Sequence, residues 1–185
     1  MKIYPTLTTE RLLLRKFQVT DASVIQELAG AYEVAEMTLN IPHPYLEGMA
    51  EIWMESHQEE FEAGMGIVFA IEESQTKKLA GAIGLVVTKR FNRGELGYWV
   101  GQPYWGKGYA TEAAHELLRY GFETIKLNKI SATHMTRNPA SGRVMQKIGM
   151  EKEGVLKQHA LKWDQFVDLA AYGILADNWS ERQQT

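Results

Sequence analysis

The segment GELGYWVGQPYWGKGYATEA, residues 94–113, joins a strand-like stretch to a helical stretch through a glycine-rich loop. Small and apolar residues follow the loop at helical spacing: Ala110, Ala113, Ala114, Leu117, Leu118, Gly121, Phe122 and Ile125. This spacing predicts an amphipathic helix and places the glycines at its N-terminus. Free backbone N–H groups and the positive end of the helix dipole favour an anion there. The segment therefore has two interpretations, a phosphate-binding loop and a plain turn between a strand and a helix.

Two nucleotide-binding motifs do not fit the residues around Lys107. A Walker loop needs serine or threonine after its Gly-Lys pair, and here Gly108 follows the lysine. The dinucleotide fingerprint needs a third glycine at the position of Thr111. What remains is Gly106-Lys107-Gly108, in which glycine lets the backbone approach an anion and lysine adds a positive charge.

The rest of the chain predicts antiparallel strands before the loop and alternating helices and strands after it. Three strand-like runs separated by short turns predict an antiparallel meander: 66–73, 79–90 and 95–101. The later elements are a helix over 109–125, a strand over 129–135, a helix over 139–149 and two strands within 151–175. This order predicts an α+β (mixed α/β) fold with a mostly antiparallel central sheet and helices on both faces.

The N-terminal part predicts a first strand over 10–17 and a helix that Asp21 caps. Residues 46–63 predict one longer helix with Met49, Ile52 and Trp53 on its apolar side. Its opposite side carries a glutamate at every fourth position: Glu47, Glu51, Glu55 and Glu59. This row is either a solvated helix face or a wall that attracts a cationic substrate.

Length and composition predict one domain over residues 1–185, because about 150 residues per domain is usual. The net charge of −3 argues against a nucleic-acid-binding protein. We expect no membrane span and no signal peptide, since no apolar run is long enough for the first and the N-terminus lacks the pattern of the second. The chain has no cysteine, which excludes disulfides and thiolate chemistry and fits a cytoplasmic protein.

Several separated blocks resemble one family. The loop at 105–110 matches Gln/Arg-x-x-Gly-x-Gly/Ala, the motif of the GNAT superfamily of acyl-CoA-dependent N-acyltransferases. The resemblance extends to TERLLLR at 9–15, NPASGRVMQKIGMEKEG at 138–154 and DLAAYGILADNW at 168–179, and is nearest to the ribosomal-protein N-terminal acetyltransferase branch, the Rim type. Trp105 departs from the motif, which has glutamine or arginine there. On this resemblance, the departure would remove one possible polar contact near the pyrophosphate of the acyl-CoA and shift more of the binding to backbone amides.

The resemblance implies acetyl-CoA as co-substrate and no metal. Its pyrophosphate would bind the loop residues Trp105, Gly106, Lys107, Gly108, Tyr109, Ala110 and Thr111. The backbone of the preceding strand, at Trp99 and Val100, would bind the pantetheine arm, and Asn138 would contact the same arm. The side chains of Tyr98 and Trp99 alternate on this strand, so at least one is expected in the core.

Acetyl transfer to an amine needs a base, and it benefits from a donor near the departing thiolate. Glu95 matches the position of a general base in the family, although a surface glutamate at the start of a strand explains it equally well. Ser141 would donate a hydrogen bond to the leaving sulfur, while Asn138 with Pro139 is also a sufficient helix N-cap. Some Rim-type enzymes carry a catalytic glutamate where Ala160 stands, so here Glu95 must serve or the amine must arrive neutral.

The sequence therefore predicts an N-acetyltransferase that acts by direct transfer on a primary amine, in the first place the N-terminal amine of a protein. The alternatives are a polyamine or aminoglycoside acetyltransferase and a non-catalytic acyl-CoA-binding module. We expect no direct nucleic-acid or membrane partner, and a homodimer stays open.

Overall fold

An eight-stranded sheet forms the centre of the molecule in the computed structural model, which describes residues 2–182. The strands are β1 (Leu7–Thr8), β2 (Leu12–Arg15), β3 (Gly66–Glu73), β4 (Leu79–Thr88), β5 (Arg93–Val100), β6 (Lys129–Met135), β7 (Glu151–Lys162) and β8 (Gln165–Leu175). Their order in the sheet is β1-β2-β3-β4-β5-β6-β8-β7. Neighbouring strands are antiparallel except β5 and β6, which run parallel. The antiparallel meander predicted before the loop is confirmed.

Helices cover both faces of this sheet. They are α1 (Ala22–Gly30), α2 (Tyr32–Ala35), α3 (Met49–Glu55), α4 (His57–Ala63), α5 (Tyr109–Arg119), α6 (Pro139–Lys147) and α7 (Ala176–Arg182). A single π-helical turn, Tyr120–Thr124, continues α5. The predicted mixed α/β class with helices on both faces is thus confirmed.

Alternation along β5 assigns its side chains to two faces. Leu96 lies opposite Leu85 of β4 and packs with Leu117 of α5, so this is the α5 face. Trp99 lies opposite Ala82 and packs with residues of α1, so this is the α1 face. Side chains of successive strand residues point to opposite faces. The same strand therefore contributes to two cores.

The sheet splits between β5 and β6. Among the described residues, the two strands pair only over Arg93–Glu95 and Lys129–Ser131, and the rest of each strand has no partner on that side. We call the opening between 96–100 and 132–135 the cleft; Glu95 and Ser131 stand at its apex. Because an unpaired strand edge exposes alternate N–H and C=O groups, β5 presents backbone hydrogen-bonding groups to the cleft.

The single helix predicted over 46–63 is wrong. The structure has two short helices, with the break at Ser56. The first begins only at Met49, because Gly48 adopts a left-handed conformation with φ of 86°. At the break, the buried ring of His57 packs 4.7 Å from the ring of Trp53, centroid to centroid.

The predicted faces of this region are correct only in part. Trp53 packs inward as expected, but Ile52 is 71% exposed. Four exposed glutamates follow the outer surface, as a solvated face requires: Glu47, Glu51, Glu55 and Glu59.

Asp21 precedes α1, but its carboxylate does not cap that helix. It accepts hydrogen bonds from the guanidinium of Arg15, at 2.8 and 2.9 Å, and from the backbone N–H of Gln18 at 2.8 Å. Arg15 also bonds Glu72 of β3 at 2.5 Å. The side chains of Arg15, Asp21 and Glu72 are only 14%, 9% and 10% exposed. A largely buried charge network therefore joins β2, β3 and the start of α1.

Replacing Arg15 with methionine keeps the aliphatic stem but leaves two largely buried carboxylates unpaired. We expect the free energy of unfolding to fall by about 3 kcal/mol, the usual cost of breaking a buried pair. Urea unfolding followed by circular dichroism measures this loss.

Lys129→Met is the matched control, since its pair with Glu153 is at the surface, with side chains 33% and 45% exposed. Exposed pairs contribute less than about 1 kcal/mol. Equal losses in the two variants would contradict the role assigned to Arg15.

Candidate active site

The glycine loop before α5 has a backbone that favours glycine. Gly106 and Gly108 have φ angles of 75° and 82°, in the left-handed region where a side chain adds strain. A Cβ on Gly106 would meet no atom within 4 Å, so the loop opens onto free space. Within the described residues, no backbone N–H from Gly106 to Thr111 has a hydrogen-bond acceptor, and the first helical bond runs from Glu112 to Gly108 at 3.0 Å. This row of donors at a helix N-terminus suits an anion.

Arg11 supports the loop from the first strand region. Its Nη1 donates to the carbonyl of Lys107 at 2.9 Å, and its Nε donates to the Oε2 of Glu112 at 2.7 Å. The Oε1 of Glu112 accepts from the backbone N–H of Arg11 at 2.8 Å and from the hydroxyl of Thr9 at 2.6 Å. A carbonyl oxygen that faced a bound anion would repel it. The bond from Arg11 holds the Lys107 carbonyl oxygen against the guanidinium instead. The TERLLLR block therefore supports the loop as well as forming a strand.

Lys107 adds positive charge at the loop. Its ammonium lies 5.0 Å from the ring centroid of Tyr104 and 5.7 Å from that of Tyr109. The hydroxyl of Tyr109 donates to the carboxylate of Glu73, which fixes the ring beneath the loop. Cation–π contacts of this kind hold a lysine that would otherwise be mobile.

Trp105 has a partner that the sequence did not reveal. Its indole Nε1 donates to the carbonyl of Val100 at 2.6 Å, while the residue stays 47% exposed. The residue that replaces a polar one in the motif thus ties the loop to the end of β5. A pantetheine contact at Val100 would use its N–H or share this oxygen.

Asn138 is the N-cap of α6, as predicted. Its Oδ1 accepts from the backbone N–H of Ser141 at 3.2 Å, and its Nδ2 donates to the carbonyl of Met37 at 3.1 Å. Both ends of the amide are therefore engaged inside the protein. Its contact with a pantetheine arm stays a prediction.

Tyr98 and Ser141 form a hydrogen-bonded pair that joins β5 to α6. The Tyr98 hydroxyl lies 2.9 Å from the Oγ of Ser141 and 3.0 Å from its carbonyl oxygen. Burial raises the pKa of Tyr98 to about 12, so the phenol is neutral at physiological pH. Strand alternation predicted only that at least one of Tyr98 and Trp99 lies in the core, and no partner was predicted for the Tyr98 hydroxyl. The available signal was its hydroxyl, because a buried tyrosine hydroxyl usually has a polar partner.

Glu95 lies at the apex of the cleft on the other face. It is exposed, it stands opposite Val86 of β4, and it follows the alternation of Trp99 on the α1 face. Tyr98 and Ser141 belong to the α5 face. The two predicted catalytic residues, Glu95 and Ser141, are not in contact, and they flank the cleft from opposite faces.

Ala160 lies on β7 opposite Val167, beyond a bulge in the ladder. The nearby carboxylate of Asp168 accepts from the ammonium of Lys157 and the backbone N–H of Gln158, both at 2.8 Å. These bonds lower the pKa of Asp168 below its ordinary value. A carboxylate held in this way is a poor base, so Asp168 is a poor replacement for the catalytic glutamate that some Rim-type enzymes carry at the position of Ala160.

Such a cleft is typical of an acyltransferase, because a phosphate-bearing donor can lie along it and present its acyl group to an acceptor on the other face. A family model described as "Acetyltransferase (GNAT) domain" matches residues 11–151. The chain belongs to this family, and it is an N-acetyltransferase.

Relatives with known names cover nearly the whole chain. The uncharacterised N-acetyltransferase YoaA of Bacillus subtilis is 31% identical over 181 residues, which is 94% of this chain and 98% of that protein. The [ribosomal protein uS5]-alanine N-acetyltransferase of Escherichia coli is 30% identical over 186 residues, covering 94% and 92%. A GNAT-family acetyltransferase structure from Bacillus anthracis superimposes with a TM-score of 0.83 at 29% identity, covering 94% and 99%. In the described part of the chain, no helix is long and apolar enough to cross a membrane.

Replacing Arg11 with methionine removes the support of the Lys107 carbonyl. Because one hydrogen bond to a charged group contributes roughly 1.5 kcal/mol, we expect the dissociation constant for acetyl-CoA, the donor that the resemblance implies, to rise about tenfold. Isothermal titration calorimetry measures it.

Arg119→Met on α5 is the control. Its side chain is 44% exposed, against 46% for that of Arg11, and both arginines pair with a glutamate of α5. An equal rise in both variants would show a general charge effect instead of support of the loop.

Proposed function

We propose that this N-acetyltransferase moves the acetyl group of acetyl-CoA directly to the N-terminal amine of a protein. The observation that carries the proposal is the cleft, which has the glycine loop with its backbone N–H donors at one end, Ser141 on one face and Glu95 on the other. The 30% identity to the uS5-alanine enzyme over nearly the whole chain supports this acceptor class.

The loop is proposed to hold the pyrophosphate of acetyl-CoA. Backbone donors from Gly106 to Thr111 would bind its oxygens, and the Lys107 ammonium would add positive charge. Arg11 holds the Lys107 carbonyl oxygen by a hydrogen bond. The free edge of β5 would bind the pantetheine arm through Val100. The backbone groups of Trp99, predicted to share this contact, instead face Ala82 of β4, because the neighbouring Gly101 N–H bonds Ala80 and alternate residues of a strand bond the same neighbour. Main-chain donors suit both parts, because they are fixed before the ligand arrives.

Transfer forms a C–N bond between the acetyl carbon and the amine nitrogen and breaks the C–S bond, whose electron pair stays on sulfur. The amine gives up one proton, which Glu95 accepts on the α1 face. Ser141 donates a hydrogen bond to the sulfur on the α5 face, and the thiolate then takes one proton from solvent. The base and the donor thus act on opposite sides of the reacting carbon, as the two faces of the cleft require.

One observation favours a second acceptor class, a small cationic amine such as a polyamine. The outer surface of α3, α4 and the preceding turn presents an exposed glutamate row: Glu47, Glu51, Glu55 and Glu59. Such a row attracts cations at long range, although it does not lie at the cleft apex.

The acceptor class is tested with acetyl-CoA and a panel of amines. Synthetic N-terminal peptides, including the alanine-first type, are compared with polyamines and aminoglycosides, and released CoA is measured with a thiol reagent. We expect CoA release that depends on a peptide amine, and acetylation of its α-nitrogen by mass spectrometry. CoA release with polyamines but not with peptides would show that the acceptor is a small cationic amine and not a protein N-terminus.

Glu95→Gln should lower kcat by about 10² to 10⁴, the usual contribution of a general base, and the loss should shrink toward high pH as the amine becomes neutral. Rates are measured from about pH 6 to pH 9, where the titration of amines is informative. Glu151→Gln changes another exposed strand glutamate and should leave kcat unchanged. An unchanged rate in Glu95→Gln at every pH would remove Glu95 from the mechanism.

A further inference from the structure

The contact between Tyr98 and Ser141 has more acceptors than hydrogens. Two hydroxyl hydrogens meet three oxygens: the phenol, the Ser141 Oγ at 2.9 Å and the Ser141 carbonyl at 3.0 Å. The carbonyl can only accept. When Tyr98 donates to the carbonyl, Ser141 donates to the phenol oxygen and its hydrogen is occupied. When Tyr98 donates to the Oγ, the serine hydrogen is free.

We propose that Tyr98 is a positioning residue that releases the Ser141 hydrogen toward the thioester sulfur by turning its own hydroxyl from the carbonyl to the Oγ. The proposal rests on the proposed function, in which Ser141 meets that sulfur. It gives the serine a partner in both states. Without the sulfur, the serine hydrogen is bonded to Tyr98; with the sulfur present, the serine donates outward and accepts from Tyr98.

The surroundings favour this exchange. The Tyr98 hydroxyl has no other hydrogen-bond partner in the described part of the chain, so both of its positions involve Ser141. Burial keeps the Tyr98 phenol protonated, so it can donate a hydrogen bond to Ser141 but is not present as a phenolate. The Ser141 backbone N–H is bonded to Asn138, which fixes the residue while its hydroxyl turns.

No net proton leaves the pair during transfer. The C–S bond breaks with its electron pair on sulfur, and Ser141 shares its hydrogen with that sulfur as a hydrogen bond. Tyr98 donates to the serine oxygen, which makes the serine a stronger donor, since hydrogen bonds in a chain polarise one another. The proton that finally completes the CoA thiol comes from solvent, and it balances the proton given up by the amine.

A purely structural role for Tyr98, clamping α6 to β5, predicts lower stability but no effect on the sulfur. The pKa of the thiol of bound CoA separates these roles. A donor to the thiolate lowers that pKa. The chain contains no cysteine, so the thiol reactivity of the complex belongs to CoA alone.

The experiment measures the rate at which protein-bound CoA is alkylated by iodoacetamide as a function of pH, at CoA concentrations well below that of the protein. Four variants are compared with the wild type: Tyr98→Phe, Ser141→Ala, the double variant and Tyr4→Phe. We expect Ser141→Ala to raise the thiol pKa by about one unit and Tyr98→Phe by about half a unit. The double variant should match Ser141→Ala. His134 and Arg137, the other titratable groups near this end of α6, are the same in every variant.

Tyr4→Phe is the matched control. The Tyr4 hydroxyl also has backbone partners, at 2.7 and 2.9 Å from the oxygen and nitrogen of Val68, and burial raises its pKa to about 12 as well. Its removal should lower the melting temperature about as much as Tyr98→Phe and leave the thiol pKa unchanged. A thiol pKa that Tyr98→Phe leaves at the wild-type value, while Ser141→Ala raises it, would overturn the role of Tyr98. Additive shifts in the double variant would overturn it too, because a residue that acts through Ser141 has no effect once the serine is gone.

The outcome is independent of the acceptor. If no amine is acetylated but the thiol shifts follow this pattern, the proposed function fails and the Tyr98–Ser141 relation stands. If peptides are acetylated but Ser141→Ala leaves the thiol pKa unchanged, the donor role of Ser141 fails, and that of Tyr98 fails with it.

Discussion

The loss of pairing between β5 and β6 after Glu95 and Ser131 is the constraint on which the rest of the structure depends. A parallel pair that continued to Val100 would satisfy the backbone of both strands and leave no space between them. Because pairing stops at the apex, the edge of β5 is left with polar groups that need partners. The protein itself supplies a partner for one of these groups: the Trp105 indole N–H donates to the carbonyl of Val100. The others are the groups proposed to bind the extended pantetheine arm.

Helices on both sides of the split sheet give the cleft two chemically different walls. Tyr98 and Ser141 approach from the α5 face, where burial keeps a phenol protonated. Glu95 stands exposed on the α1 face, where solvent can take up a proton. Strand alternation alone separates them, since residues 95 and 98 of one strand point to opposite faces. Glu95, the proposed base, and Tyr98, the partner of the proposed donor Ser141, can therefore lie three positions apart on one strand and still stand on opposite faces of the cleft.

Local patterns in the sequence predicted most of the elements. The stripe after Gly108 marked α5, and the Asn138-Pro139 pair marked the start of α6, because a helix and its cap depend on neighbouring residues. The two-helix form of 46–63 was missed, and the rings on the two sides of its break, Trp53 and His57, both pack against Phe17, which belongs to a distant segment. The partner of Tyr98 was missed for the same reason: Ser141 is 43 positions away in the chain. Contacts between distant segments leave no periodic signal.

Trp105 shows how a departure from a motif can preserve its purpose. A glutamine or arginine there would offer a polar side chain to an anion, whereas the indole offers only one N–H, and that N–H is bonded to Val100. The bond joins the loop, which would hold the pyrophosphate, to the strand end, which would hold the pantetheine arm. Both segments belong to the path of one donor molecule, so their spacing decides whether its acyl group reaches the apex. In the proposed complex, the tryptophan would make no polar contact with the ligand through its indole, and its bond to Val100 would instead fix the distance between the two sets of backbone groups that the ligand meets.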